Sequence, residues 1–286
     1  MPHTSRKKKG HHSKRREIVD NDGWTRITSS SSTPLTIELD PTKSEPEQVP
    51  KGSTCAPSLA MDLPVLPPPM PAAKGSTLET MRAQFARIEA RWRETDLCKK
   101  LEEMLRYKIL TGGCNISYCA VFGTGSFCGD AVHWIDRHES AYFQLAAFQT
   151  VVKSIERMQG HVLQVYAQEP YYNELDALFL AGFNITKVDH PKGFELLDRD
   201  SFAYSPAAEA EVERQIISRA PQIWLHRSID HSLEGDKSTS SETRDQFKMS
   251  HEHAVLPELD LKNFPFHGSV LWWRRNDDRD ESMQAS

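Results

Sequence analysis

Short apolar runs alternate with helix-like stretches between residues 115 and 225, and this alternation most constrains the fold. Five runs have the length and composition of strands: Ile116–Phe122, Val162–Ala167, Ile185–Val188, Phe202–Tyr204 and Ile223–Leu225. Strands separated by helices predict a parallel sheet covered by helices on both faces. We therefore predict an α/β fold with a Rossmann-like, open and mostly parallel sheet.

The segments between these runs have helical periodicity and recognisable ends. The stretch Ser140 to Met158 repeats apolar residues on one face and is followed by Gly160, and a second helix is predicted over Tyr172 to Ala181. Ser205-Pro206 has the form of a helix start, a capping hydroxyl followed by proline, and predicts a helix that runs to about Arg219.

A long amphipathic helix is predicted over residues 77–110, ahead of the first strand. Apolar residues follow helical spacing, slip once, and then resume: Leu78, Met81, Phe85, Ile88, Trp92, Leu101, Leu105 and Ile109. Thr77 is the candidate cap. Two heptads before a slip are too few for a coiled coil, so we expect the helix to pack on its own domain.

The first 76 residues have too few apolar side chains to form a hydrophobic core. They contain eleven of the 17 prolines, the run TSSSST at 28–33 and PVLPPPMP at 64–71. Such composition buries too little surface to offset the ordering entropy, so residues 1–76 are predicted to be a disordered arm. The proline run suits either a semi-stiff spacer or a ligand for an aromatic groove.

Charge is distributed unevenly along the chain. Residues 1–16 carry seven basic and no acidic side chains, whereas the remainder carries 28 basic and 40 acidic ones. The basic cluster at 6–16 suits a nuclear address, a non-specific phosphate contact or a solvated tail. An acidic body argues against broad nucleic-acid binding, so we expect a cytoplasmic protein with access to the nucleus through the arm.

Three further boundaries follow from composition. Residues 231–262 are mostly polar and predict an insertion within a domain that spans 77–274. Apolar residues return at 264–273, where a last strand is expected at the edge of the sheet. Residues 275–286 are predicted to be a disordered tail. No apolar run is long enough for a membrane span, and the basic amino terminus lacks the apolar stretch of a secretory signal, so no membrane contact is expected.

Neither cysteine nor histidine spacing predicts a metal site. The five cysteines include no CxxC pair, which favours a reducing compartment and small buried thiols. Five residues near the polar insertion have metal-binding side chains but no standard ligand spacing: His226, Asp230, His231, His251 and His253.

The best candidate for a ligand site is the glycine-rich loop after the first strand. It contains Gly123, Gly125 and Ser126, at the position where an open α/β sheet binds phosphates or nucleosides with backbone N–H groups. The spacing is GxGxxxG rather than GxGxxG, so a tight turn is an equal alternative. Glu169, after the second strand, suits a carboxylate for ribose hydroxyls or a cap for the next helix. Together these four residues suggest a nucleoside cofactor without requiring one.

Four stretches of the chain resemble the sensitivity-to-red-light-reduced family of eukaryotic proteins. They are Tyr118 through Phe127, Ser140 with Gln144-Leu145-Ala146, Gln168-Glu169-Pro170-Tyr171 with Asp176 and Leu180, and Pro191 through Glu195 together with Phe202 through Pro206 and Glu209. Asp22-Gly23-Trp24-Thr25 also looks like a short element of some members. The family more usually has Asp where Glu169 stands.

The resemblance implies a regulatory protein that works through protein partners. The family is linked to circadian-clock and light input, stress and growth control, and regulation of haem metabolism, and it supplies no established catalytic residues. The alternative is an S-adenosylmethionine- or nucleotide-dependent enzyme, which the glycine loop and Glu169 would suit. No cofactor is firmly implied.

Overall fold

The computed structural model describes residues 16–19, 25–28, 66–112, 114–130, 135–206, 209–227, 241–259, 266 and 268–275. The chain divides into two compact units, Met1–Met61 and Asp62–Ser286. In the first unit, β1 (Arg16–Val19) pairs antiparallel with β2 (Thr25–Thr28). This short hairpin lies within the segment for which the sequence predicted disorder, and Asp22-Gly23-Trp24 between its strands lies outside the described residues.

The second unit contains seven helices and seven strands among its described residues. The helices are α1 (Leu78–Glu94), α2 (Asp96–Gly112), α3 (Ile135–Gln159), α4 (Glu174–Ala181), α5 (Lys192–Glu195), α6 (Ala210–Arg219) and α7 (Ser241–Ser250). The strands are β3 (Tyr118–Phe122), β4 (Gln164–Gln168), β5 (Ile185–Lys187), β6 (Ser201–Ser205), β7 (Ile223–Arg227), β8 (His251–Val255) and β9 (Ser269–Arg274).

These strands form one mixed sheet in the order β5-β4-β3-β6-β7-β9-β8. The first five are parallel, and β9 is antiparallel to both of its neighbours. The chain proceeds outward from β3 to β5 and then crosses to the other side of β3 to begin β6. The α/β class and the mostly parallel sheet are therefore confirmed, and the strand order reverses between β3 and β6, whose carboxyl ends border the site described below.

Two hydrophobic clusters cover the two faces of the sheet. The larger contains side chains of α1 to α4 with alternate strand residues such as Val121 and Tyr204. The smaller contains α6 and α7 side chains with the intervening strand residues, including Phe122 and Trp224. Successive residues of a strand point to opposite faces, and here both faces are covered by helices. The predicted strands are therefore apolar at nearly every position.

The predicted helix over 77–110 is two helices with a break at Thr95. Thr77 caps α1, in a reciprocal capping box with Thr80. At the break the Thr95 hydroxyl donates to the Trp92 carbonyl (2.7 Å) and accepts from the Cys98 amide (3.1 Å), so it ends one helix and starts the next. The slip in apolar spacing therefore marks the break between the two helices.

Helix α6 starts later than Ser205-Pro206 predicted. Ser205 is the last residue of β6, and its hydroxyl oxygen accepts a hydrogen bond from the indole N–H of Trp224 (2.9 Å). Both side chains are buried. The helix begins at Ala210 after Glu209. A sequence motif could not show that a tertiary contact already uses the capping oxygen.

Part of the polar segment 231–262 is regular structure. Residues 241–250 form α7 and residues 251–255 form β8, the edge strand beyond β9. The strand expected at the sheet edge from residues 264–273 is β9, which instead lies between β7 and β8. The sequence did not predict β8 because its side chains are largely exposed: Glu252, His253 and Val255 all face solvent. An edge strand can form with few apolar residues, so it lacks the apolar pattern that marks a buried strand.

Replacing Ser205 with alanine tests its role in the sheet. S205A leaves the Trp224 indole N–H buried without its acceptor, so we expect the free energy of unfolding to fall by about 1–3 kcal/mol. Urea denaturation followed by tryptophan fluorescence measures this. S218A, an exposed serine on α6, should change stability by no more than about 0.5 kcal/mol. Equal effects of the two substitutions would contradict the assignment.

Candidate site at the carboxyl ends of β3 and β4

The glycine-rich loop leaves β3 at the edge of the sheet where β4 also ends. Gly123 and Gly125 have φ of 76° and 75°, in the left-handed region that favours glycine. The Gly123 amide donates to the Gln168 carbonyl (3.2 Å), which ties the loop to the end of β4. Both glycines are thus needed for the loop to turn back over the adjacent strand.

Glu169 joins the two loops directly. One carboxylate oxygen accepts from the Gly125 amide (3.0 Å) and the other from the Tyr171 amide (3.1 Å). Burial raises the pKa of Glu169, these two hydrogen bonds lower it, and the negative charges of Asp176 and Glu209 raise it further, so its pKa lies above its ordinary value. Gly125 and Glu169, predicted separately from sequence, are therefore in direct contact.

Asp176 is the most heavily used acceptor of the site. It is fully buried at the first turn of α4, where one oxygen accepts from the Ser126 hydroxyl (2.6 Å) and the Asn173 amide (3.1 Å). The other oxygen accepts from the Phe127 amide (2.9 Å). Asn173 in turn caps α4 by accepting from the amides of Leu175 and Asp176. One carboxylate thus fixes both the glycine loop and the start of a helix.

Further contacts complete the junction of these loops. The hydroxyls of Thr124 and Tyr172 lie 2.6 Å apart, and both side chains are buried. The Gln168 side-chain oxygen accepts from the Gly193 amide (2.8 Å). A Cβ on Gly193 would lie 2.8 Å from that oxygen and 2.9 Å from the Phe122 ring, so only glycine fits here. The loops after β3, β4 and β5 therefore form one connected network.

The proline-rich segment that precedes α1 lies across the same loops. Met70 donates its amide to the Tyr171 carbonyl (3.0 Å) and accepts at its own carbonyl from the Asn173 side chain (2.9 Å). The Ala73 amide donates to Cys128 (2.7 Å), and the Asp130 amide donates to Pro71 (2.7 Å). We refer to residues 66–73 as the strap. The proline-rich run was expected to be a spacer or a ligand for an aromatic groove. Neither expectation included a contact with the protein's own glycine loop.

Of the four predicted residues, the structure brings one pair, Gly125 and Glu169, into direct contact. Ser126 instead contacts Asp176, and Gly123 contacts the backbone of β4. Tyr172, which hydrogen-bonds Thr124 here, is not among the residues predicted for the site. The Asn173-x-x-Asp176 spacing of a capping box was available as a signal for Asp176, but the contacts of Tyr172 and Gly193 depend on tertiary packing.

The Cys128 thiol also belongs to this site, where it donates to Asp176 Oδ1 (3.5 Å) and lies 3.7 Å from Asn173 Oδ1. None of the four described cysteines is in a disulfide and all four are buried, and burial raises the pKa of the Cys128 thiol to about 11, which keeps it protonated at neutral pH. No group of three or more His, Cys, Asp or Glu side chains in the described ranges is placed to hold a metal ion. None of the described helices is both long and apolar enough to cross a bilayer.

A comparison with protein families identifies this region. The family model of the SRR1 domain matches residues 97–273, from α2 to the end of β9. The matched range contains the glycine loop, Glu169 and Asp176. The chain matches no curated protein.

Converting Asp176 to asparagine tests its place in this network. D176N keeps the volume but turns one acceptor oxygen into an amide that faces N–H or O–H donors, so we expect a loss of about 2–3 kcal/mol in unfolding free energy. Chemical denaturation measures the loss. D198N is the matched control, because Asp198 accepts two local hydrogen bonds but is exposed, and its effect should stay below about 1 kcal/mol.

The raised pKa of Glu169 predicts a pH dependence of stability. The folded state binds the Glu169 proton more tightly than the unfolded state, so stability from this group is present below its ordinary pKa of 4.5 and is lost as pH rises through the folded pKa. The wild-type minus E169Q difference in unfolding free energy should therefore fall as pH increases from about 4. E94Q, at an exposed site, should give a flat difference. A wild-type minus E169Q difference that rises with pH would contradict the burial of this carboxylate.

Proposed function

The chain belongs to the SRR1 domain family, and on that premise we propose that it is a regulatory protein that acts through protein partners. The processes proposed are circadian-clock and light input, stress and growth control, or the regulation of haem metabolism. What supports a regulatory rather than catalytic role is the use of the polar groups at the glycine loop. Asp176 accepts four hydrogen bonds and Glu169 two, all from the protein itself.

The outward side of α2 is the surface we propose for partner contact. Its inward side is buried, but Tyr107 is 61% exposed. Beside it the Lys108 ammonium lies 3.8 Å from the centre of the Trp273 ring and 3.5 Å from the Glu252 carboxylate. An exposed aromatic ring next to a cation and an anion has the composition of an interaction hot spot with a polar rim.

Genetic complementation tests the regulatory proposal. Cells of the source organism that lack the gene are scored for the period of light-entrained rhythms, growth under stress and haem content. We expect at least one readout to change and wild-type protein to restore it. Y107S should restore that readout poorly at equal protein level. The control V162S replaces a side chain that is 81% exposed, two residues before β4, and should restore the readout fully. Normal readouts without the gene, or full rescue by Y107S, would contradict the proposal.

The basic cluster at 6–16 gives the proposal a cellular location. We propose a cytoplasmic protein that enters the nucleus through this cluster, which lies almost wholly outside the described residues. Alanine replacement of its seven basic side chains in a fluorescent fusion should abolish nuclear signal. The same variant should lose any non-specific nucleic-acid binding, which would otherwise weaken steeply with salt.

The position of the glycine loop favours a second candidate function, an S-adenosylmethionine- or nucleotide-dependent enzyme. The loop follows β3 at the point where the strand order reverses, and open α/β sheets bind ligands in the crevice at this point. Turnover of adenosyl cofactor by the purified chain, with loss of activity in G125V, would support this function. If the purified chain turns over no adenosyl cofactor with any acceptor substrate supplied, the enzymatic candidate is contradicted and only the regulatory proposal stands.

A further inference from the structure

Two buried polar atoms, one on α3 and one on β6, have no hydrogen-bond partner in the described structure. They are the side-chain oxygen Oε1 of Gln144 and the hydroxyl of Tyr204. Gln144 is 5% exposed and Tyr204 is 1% exposed. Native proteins pair nearly all such atoms, because an unpaired buried donor or acceptor loses its hydration without compensation. Two such atoms, on elements that contact each other through Phe148 and Tyr204, therefore call for an explanation.

The fold places both atoms at the reversal of strand order. Helix α3 carries the chain from β3 back to the start of the parallel strand β4, so its first turns lie at the carboxyl ends of the strands. Gln144 is in this first half of α3. Tyr204 is the next-to-last residue of β6, and its ring stacks on Phe148, one turn after Gln144, with centroids 6.4 Å apart. Both side chains thus belong to elements that pack on one face of the sheet, toward the carboxyl ends of the adjacent strands β3 and β6.

The charges near this crevice are negative. The carboxylates of Asp176 and Glu209 lie near enough to raise the pKa of Glu169. A phosphate group would meet repulsion from three acids here, whereas a neutral or positively charged group would not. Each oxygen of Glu169 accepts one backbone N–H, which orients the carboxylate and leaves a second lone pair on each oxygen.

We propose that the crevice between β3 and β6 binds an unphosphorylated nucleoside, neutral or cationic, through Tyr204, Gln144 and Glu169. The Tyr204 hydroxyl donates to an acceptor on the ligand, Gln144 Oε1 accepts from a ligand N–H or O–H, and Glu169 accepts from a ribose hydroxyl. This site deepens the second candidate function and rests on its nucleoside-binding crevice, but it needs no turnover. A regulatory protein with such a site would respond to the level of the nucleoside.

The test measures ligand binding and ligand-free stability on the full chain. Calorimetry and thermal unfolding are run with adenosine, guanosine, cytidine, uridine and S-adenosylmethionine, and with AMP and ATP as phosphorylated counterparts. We expect at least one unphosphorylated ligand to bind and its phosphorylated counterpart to bind more weakly. Y204F and Q144M should each weaken binding by about 10-fold, the effect of losing one well-formed hydrogen bond.

Ligand-free stability separates a ligand-binding hydroxyl from a structural one. Y204F removes a hydroxyl that has no partner, so its Tm without ligand should equal or exceed that of the wild type. Y172F is the matched control, because it removes a hydroxyl bonded to Thr124, and its Tm should fall. A fall in Tm for Y204F as large as for Y172F would show that the protein itself uses the Tyr204 hydroxyl, and would overturn the proposal.

The remaining outcomes are equally decisive. Absence of binding by every nucleoside at millimolar concentration overturns the site, and tighter binding of AMP or ATP overturns the ligand class. Binding that Y204F and Q144M leave unchanged overturns the assignment of residues. Binding without turnover supports the site and removes the enzymatic candidate, so the two can fail separately.

Discussion

The buried carboxylate of Asp176 holds together the part of the molecule on which any function of the sheet edge depends. Its oxygens connect the glycine loop after β3 to the first turn of α4. A buried carboxylate is costly unless donors surround it, and here four protein donors do so, from Ser126, Phe127, Cys128 and Asn173. Because three of those donors belong to the glycine loop, the loop and the helix adopt their positions together. The contact between Gly125 and Glu169 then extends the same network to the exit of β4.

This network makes one side of the glycine loop unsuited to a ligand and leaves the other side available. The Gly125 and Phe127 amides, which a phosphate would need, already donate to Glu169 and Asp176. The strap covers Cys128 to Asp130 on the outside. Toward β6, by contrast, lie the unpartnered atoms of Tyr204 and Gln144. A rigid carboxylate beside buried polar atoms is a preorganised arrangement, in which the protein orders its groups before a ligand arrives.

The sequence predicted those parts of the fold that depend on local pattern. Alternation of strands and helices gave the parallel sheet, because buried strands must be apolar on both sides. Thr77 was identified as a cap because capping uses neighbouring residues only. Prediction failed where a distant residue decided the outcome, as when Trp224 engaged the hydroxyl expected to cap α6. It also missed β8, since an edge strand with exposed polar residues has no apolar signature.

The candidate site was predictable to the same extent. Glycine spacing located the loop, and strand order explains why Glu169 lies next to it, since adjacent parallel strands end at the same edge. Composition could not show that the protein's own N–H groups would donate to both oxygens of Glu169, or that the strap would cover the loop. Those facts depend on side-chain packing between segments 40 to 100 residues apart.

Native-state hydrogen exchange at the amides of Gly125 and Phe127 tests the account most directly. If Glu169 and Asp176 fix the glycine loop, these amides should exchange only on large-scale opening, with protection close to that of β3 and far above that of exposed loop amides. D176N should reduce the protection of Phe127 more than that of the β3 amides. Rapid exchange of Gly125 and Phe127 in the wild-type protein would show an open, mobile loop and would contradict the central role of the Asp176 carboxylate.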